Sequence, residues 1–132
     1  MQKITTFLMF EGHAEEAMHF YMTLFPDAEI ISIVRFSETE DGPQGKILHA
    51  AFALNGQVFM CIDSAAKHAF TFTPAMSLYV TCESAQEIDR LYAALSNGGQ
   101  VLMALDAYPF SKRYGWVNDR YGVSWQLTLS DA

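Results

Sequence analysis

The chain has 132 residues, of which 51% are hydrophobic and 14% are aromatic, and its formal net charge is −7. A chain of this length and composition can bury a core within one domain and is too apolar to be disordered. The negative charge argues against nucleic acid and anionic membrane surfaces, which both favour clustered lysine and arginine. We therefore expect neither a nucleic-acid partner nor a membrane partner.

The cellular location of the protein is predicted from its apolar runs, its N-terminal residues and its cysteines. No apolar run reaches the roughly 18 residues that span a bilayer, and residues 1–4 lead directly into a strand pattern without a signal-peptide core. The two cysteines, Cys61 and Cys82, are too few for a disulfide scaffold and match no metal-binding motif. The sequence therefore predicts a cytoplasmic protein whose thiols are reduced and buried in strands.

The first half of the chain predicts one strand, one helix and three further strands. The helix has a single apolar face and ends before Pro26. Asn55-Gly56 joins the last two strands, because this dipeptide favours a two-residue hairpin turn. An acidic loop covers residues 37–45. The predicted ranges are strands at 4–10, 28–36, 46–54 and 57–63, and a helix at 14–24.

The second half repeats this order. Ser84 and Glu87 form a capping box that opens a helix, and Asn97-Gly98-Gly99 ends it. A tight turn from Asp119 to Gly122 joins the arms of a closing hairpin. The predicted elements are a strand at 76–82, a strand at 100–105, a loop at 106–109 and hairpin arms at 115–118 and 123–129.

The two helices support an internal duplication. When residues 14–24 are aligned with residues 85–95, four positions are identical: Ala14/Ala85, Glu16/Glu87, Tyr21/Tyr92 and Leu24/Leu95. The hairpin at Gly56 then matches the hairpin at Gly122. The sequence predicts a single domain, 1–132, made of a module at about 1–64, a connector at about 65–75 and a second module at about 76–132.

The final strand alternates between apolar and polar residues. Successive side chains of a strand point to opposite faces, so one face carries Val123, Trp125, Leu127 and Leu129, and the other carries Ser124, Gln126 and Thr128. The apolar face predicts packing in a core. We expect the polar face to line a ligand pocket.

Several motifs together resemble the vicinal oxygen chelate superfamily, which contains glyoxalases, bleomycin-resistance proteins and dioxygenases. They are Gly12-His13-Ala14-Glu15-Glu16-Ala17, Phe20-Tyr21, Leu24-Phe25-Pro26, His49 with Asn55-Gly56-Gln57, Asp63, and Asp119 through Gln126. Within it the chain looks like the PhnB-like group labelled 3-demethylubiquinone-9 3-methyltransferase. The resemblance implies an α+β fold of two tandem βαβββ modules, with curved mixed sheets, helices outside and a concave cavity. It also implies a homodimer.

The resemblance also indicates where a metal would bind. Metal-dependent relatives carry one ligand early on the first strand and one on the last strand of each module, which places these positions at Thr5, Met60, Met76 and Gln126. Hydroxyl, thioether and amide groups do not form a hard divalent-metal site. We therefore predict no catalytic metal and no other cofactor. No Rossmann-type site for an S-adenosylmethionine donor is present either, so methyl transfer is not predicted.

The same four positions also predict the lining of a ligand pocket. Phe7 and Leu78 are expected beside them by alternation, and His49 and Ser124 add polar groups. The predicted set is Thr5, Phe7, His49, Met60, Met76, Leu78, Ser124 and Gln126. Trp116 or Phe110 is a candidate roof over it. Such a lining suits an apolar or aromatic small molecule held by a few hydrogen bonds.

We predict a small-molecule-binding protein without the usual metal site. Three alternatives stay open at this stage. The first is a metal- or base-dependent lyase, isomerase or transferase, with His49 as the candidate general base. The second is a dimeric scaffold with a vestigial cavity. The third is a small closed core that these side chains simply fill. The ligand's identity is not predicted.

Overall fold

The computed structural model describes residues 2–38 and 42–131, so residues 39–41 of the predicted acidic loop lie outside the described part. It divides the chain into two compact units, Met1–Ala69 and Phe70–Ala132. The boundary between them falls inside the predicted connector. Each unit contains one helix and one four-stranded mixed sheet, which confirms the predicted α+β fold of two βαβββ modules.

The element order is the same in both units. The first contains β1 (Thr6–Phe10), α1 (Ala14–Leu24), β2 (Ala28–Arg35), β3 (Ile47–Leu54) and β4 (Gln57–Asp63). The second contains β5 (Leu78–Cys82), α2 (Ala85–Ser96), β6 (Gln100–Tyr108), β7 (Ser111–Asn118) and β8 (Ser124–Leu129). None of the helices in the described ranges is long and apolar enough to cross a membrane.

In the first unit the strand order is β1-β4-β3-β2. β1 is parallel to β4, and the remaining pairs are antiparallel. The buried residues of α1 recur every three or four positions, as expected for a helix that covers one sheet face; they are Ala14, Ala17, Met18, Tyr21 and Leu24. These side chains form the core with buried residues of β3 and β4.

The second unit has the corresponding order β5-β8-β7-β6, with β5 parallel to β8. A Cβ added to Gly115 in β7 would lie 2.8 Å from the ring of Tyr92 in α2, so α2 lies directly against this face of the sheet. The duplication extends to single hydrogen bonds. Ser64 N donates to Phe10 O in the first unit, and Ser130 N donates to Cys82 O in the second, both at 2.7 Å.

The N-terminus of α2 has the predicted capping box. The Ser84 hydroxyl accepts a hydrogen bond from Glu87 N at 3.1 Å, and the Glu87 carboxylate accepts one from Glu83 N at 2.8 Å. The first bond satisfies a backbone donor that the helix itself leaves without a partner, and the second holds the residue before the N-cap.

The N-terminus of α1 is capped from another element. His13 provides no side-chain cap. Instead, the carboxylate of Asp63, at the end of β4, accepts bonds from Gly12 N at 2.8 Å and Ala14 N at 3.0 Å through Oδ1, and from Ile47 N at 3.0 Å through Oδ2. Asp63 is 1% exposed, so it ties three segments of the unit together inside the protein.

Some predicted boundaries were wrong. The strands predicted to begin at residues 4 and 76 begin at Thr6 and Leu78. The loop predicted at 106–109 is largely strand, because β6 continues to Tyr108 through three register shifts against β7. Such irregularities let an edge strand bend without ending, and the sequence pattern does not reveal them.

Candidate functional site

The polar residues of β8 lie on the sheet face opposite α2, which we call the open face of the second unit. β8 is an inner strand, with β5 on one side and β7 on the other. Gln126 is therefore directly opposite two aromatic residues, Tyr79 in β5 and Trp116 in β7. Gln126 is partly exposed, and Tyr79 is 58% exposed. This arrangement places an amide between two aromatic side chains.

Tyr114 engages one end of this amide. Its hydroxyl donates a hydrogen bond to Oε1 of Gln126. Tyr114 is 3% exposed, and its ring meets Phe110 edge-on with centroids 4.9 Å apart and Tyr108 with centroids 5.7 Å apart. Burial raises the pKa of the Tyr114 hydroxyl, and the nearby phenols of Tyr79 and Tyr108 add to this effect. Tyr114 therefore keeps its proton at neutral pH.

Ser124 is 2% exposed, and its hydroxyl forms two side-chain hydrogen bonds. Its hydroxyl accepts a hydrogen bond from Trp116 Nε1 at 2.8 Å and shares another with the hydroxyl of Ser77 at 2.9 Å. The predicted ligand-binding residue Ser124 thus orients the indole of Trp116. This bond holds Trp116 beside Gln126.

In the first unit, Phe7, Met60 and His49 share the sheet face opposite α1. Phe7 and Met60 are direct partners in β1 and β4, and Phe7 is 51% exposed. His49 Nε2 lies 3.3 Å from Met60 Sδ. Thr5 immediately precedes β1. His49, the candidate general base, thus contacts the thioether of Met60. A thioether does not activate histidine as a carboxylate would.

Two predicted residues are not placed as expected. Leu78 pairs with the buried Trp125, so it is on the face that α2 covers. Met76 precedes β5 and is 81% exposed. The expectation that Leu78 shares a face with Gln126 was wrong by one residue, because Tyr79 is the residue paired with Gln126 and a shift of one residue exchanges the two faces of a strand. Ser77 and Tyr79 take these places.

The structure therefore brings the predicted residues together in two groups. Phe7, His49 and Met60 share a face in the first unit, and Ser124 and Gln126 share one in the second. Sequence reasoning missed Ser77, Tyr79 and Tyr114. The only available signal for Tyr114 was its alternation with Trp116, which was a predicted roof residue and lies beside Gln126.

The side chains at the metal positions of related proteins do not fit a divalent ion. Met60 offers a thioether, and the Gln126 amide oxygen already accepts the Tyr114 hydroxyl. Ser77, which takes the place predicted for Met76, offers a hydroxyl that is bonded to Ser124. Within residues 2–38 and 42–131, no three His, Cys, Asp or Glu side chains gather as a metal site would require. These donors differ from the imidazole and carboxylate groups that divalent metals favour.

Residues 2–128 match the model of a protein family described as 3-demethylubiquinone-9 3-methyltransferase. The chain belongs to this family. A related uncharacterised protein from Mycobacterium bovis is 30% identical over 120 residues, which cover 86% of this chain and 74% of that protein. The description names the family and does not by itself assign methyl transfer to this chain.

Two solved structures share the fold of this chain. A Bacillus cereus PhnB protein with the same family description is 64% identical, with a TM-score of 0.96 over 98% of this chain and 100% of that one. The fosfomycin resistance protein of Listeria monocytogenes is 11% identical, with a TM-score of 0.63 over 98% of this chain and 93% of that one. The latter similarity is one of fold alone.

Proposed function

We propose that this protein binds an apolar or aromatic small molecule on the open face of the second unit, without a catalytic metal. The observation that carries the proposal is the position of Gln126 between Tyr79 and Trp116. Ligand sites commonly combine apolar and aromatic surface with a few oriented polar groups. Here the aromatic rings supply contact area and the amide supplies a directional hydrogen bond.

Exposed aromatic residues support the same proposal. Tyr79 is 58% exposed, and Phe110, whose ring contacts both Tyr108 and Tyr114, is 63% exposed. Each Å² of apolar surface removed from water contributes about 25 cal/mol, so a planar ligand that covers these rings gains free energy from their burial. The aromatic neighbours also favour stacked or edge-on contacts with a ligand ring.

We further propose that the chain forms a homodimer in the cytoplasm. β2 is an edge strand that exposes three branched apolar side chains, Ile30 by 37%, Ile31 by 51% and Val34 by 50%. Unpaired strand edges with apolar side chains favour association with another chain. Cys61 and Cys82 are both free and buried, which suits a reducing compartment. Light scattering on the purified chain tests the dimer, and a monomeric mass would contradict it.

A thermal-shift screen tests the proposed function. The panel contains quinones, aromatic antibiotics, thiol adducts and the divalent ions of Zn, Mn, Fe and Ni. Quinones are included because the family description names a demethylubiquinone. We expect organic ligands to raise the melting temperature and metals to leave it unchanged. Metal analysis of untagged protein should likewise find no stoichiometric ion. Stabilisation by a metal would favour the enzyme alternative, and no stabilisation by any compound would favour the vestigial scaffold.

A matched pair of variants locates the bound ligand. Gln126→Leu removes the amide from the open face, whereas Gln86→Leu makes the same change at an exposed position on α2. Any ligand found in the screen should bind Gln126→Leu more weakly and bind Gln86→Leu with unchanged affinity. Equal affinity for both variants would contradict the assignment of Gln126.

A further inference from the structure

The hydrogen bond from Tyr114 determines which end of the Gln126 amide is available. A glutamine side chain has an oxygen that accepts hydrogen bonds and an NH2 group that donates them. The Tyr114 hydroxyl occupies the oxygen. Among the described residues, this is the one hydrogen bond to the amide, so it fixes which way the amide faces and leaves both donors of the NH2 group for a ligand.

Tyr114 is itself held in place. Its ring packs edge-on against Phe110 and Tyr108, and the Tyr108 hydroxyl donates to the carbonyl oxygen of Ala104 at 2.7 Å. A buried phenol that packs in this way cannot turn aside without losing these ring contacts. Its hydroxyl keeps its proton at neutral pH, so it remains a donor towards the amide oxygen.

We propose that Tyr114 makes this site selective for planar aromatic molecules that carry a hydrogen-bond acceptor, such as a ring carbonyl. The inference rests on the proposed function and specifies the chemical class of the ligand. The ring lies along Tyr79 and Trp116, and its acceptor receives a hydrogen bond from Nε2 of Gln126. A ligand that offers a donor at the same point meets the amide N–H groups and leaves two donors facing each other, which costs binding free energy.

Three tricyclic probes of nearly equal size separate this inference from simple aromatic binding. 9-Fluorenone carries a carbonyl oxygen, fluorene carries a methylene group and carbazole carries an N–H group at the same ring position. We expect fluorenone to bind about 3- to 10-fold more tightly than fluorene, the ratio that one net hydrogen bond provides, and carbazole to bind more weakly than fluorene. Quenching of tryptophan fluorescence reports the affinities. The side-chain amide signal of Gln126 in a ¹⁵N-labelled sample should shift with fluorenone.

Two tyrosine variants test the role of Tyr114. Tyr114→Phe releases the amide oxygen, so the preference for fluorenone over carbazole should fall to about 1-fold while fluorene binds as before. Tyr92→Phe removes the hydroxyl of a tyrosine whose ring lies against the opposite face of β7, and it should keep the wild-type preference. Melting curves confirm that both variants are folded.

The outcomes separate this inference from the proposed function. Equal binding of the three probes, or a preference for carbazole, would overturn the acceptor selectivity and leave ligand binding intact. An unchanged preference in Tyr114→Phe would overturn the role of Tyr114. If the wild-type protein binds none of the probes and no other organic ligand in the screen, both proposals fail together.

Discussion

Gln126 in β8 occupies the place that Met60 occupies in β4. Each residue is opposite an aromatic residue of a parallel edge strand, Tyr79 for Gln126 and Phe7 for Met60. Each also contacts a polar side chain two residues before its direct partner on the neighbouring antiparallel strand. His49 lies 3.3 Å from Met60 Sδ, and Tyr114 donates to the amide of Gln126. The two units therefore repeat the same arrangement of strand positions but place different side chains there.

The bond between Tyr114 and Gln126 predicts coupled stability effects. Gln126→Leu removes the acceptor of the buried Tyr114 hydroxyl and supplies no thioether in its place, so we expect a cost of about 1–3 kcal/mol. The double variant with Tyr114→Phe should recover part of that loss, because neither partner then remains. Urea unfolding of the four proteins measures a coupling of about 0.5–1.5 kcal/mol. Additive effects would show that the bond contributes nothing to stability.

The three hydrogen bonds that the Asp63 carboxylate accepts predict a large loss of stability when one of its oxygens is replaced. Asp63→Asn replaces one acceptor oxygen with an NH2 group that faces backbone N–H donors, so we expect a loss of about 1–3 kcal/mol in the free energy of unfolding. Asp27→Asn provides the matched control, because this side chain is exposed and should change stability by less than about 0.5 kcal/mol. Similar urea midpoints for the two variants would contradict the capping role of Asp63.

Gly99 lies where β6 begins beside the turn between β7 and β8. A Cβ there would lie 2.0 Å from the carbonyl oxygen of Asn118, which is backbone and cannot move aside as a side chain can. Gly99→Ala should therefore destabilise the protein by about 1–3 kcal/mol or more. The neighbouring Gly98 has a φ of +77° and an uncrowded Cβ position, so Gly98→Ala measures left-handed strain alone, about 1–2 kcal/mol. A larger loss in Gly98→Ala than in Gly99→Ala would contradict the steric argument.

The two thiols predict a dependence of stability on alkaline pH. Burial raises the pKa of Cys61 and of Cys82 from 9.0 to about 12, with smaller contributions from the charges of Asp63 and Glu87 respectively. Because the folded state holds these protons more tightly, the associated stability is present below pH 9 and is lost as the pH rises towards 12. Unfolding in urea should therefore need less denaturant at pH 10.5 than at pH 8, and less change is expected in a variant with both cysteines replaced by alanine.

The same burial predicts low reactivity towards disulfide reagents. At pH 8 the native protein should release almost no thionitrobenzoate from Ellman's reagent, since the thiolate is the reacting form and both sulfurs are buried. Two thiols per chain should react after unfolding. Rapid reaction of the native protein would show that one of these strands opens readily.

Local signals in the sequence determined the order of elements and their duplication. The helical repeat, the Ser84 capping box and the Asn55-Gly56 turn act over a few residues, so they can be recognised without knowing the rest of the fold. Strand alternation also assigned Ser124 and Gln126 to one face correctly. The motifs also indicated the PhnB-like group labelled 3-demethylubiquinone-9 3-methyltransferase, and the family comparison confirmed this family.

Tertiary structure alone decided how residues far apart in sequence meet. Asp63 caps a helix that begins 49 residues earlier, and Tyr114 reaches Gln126 only because β7 and β8 pair in a particular register. The register between β5 and β8 likewise placed Ser77 and Tyr79 beside the polar residues of β8, where Met76 and Leu78 had been expected. Register depends on the packing of the whole sheet, and a slip of one residue exchanges its faces, so a single strand's sequence does not specify which of its side chains reach the site.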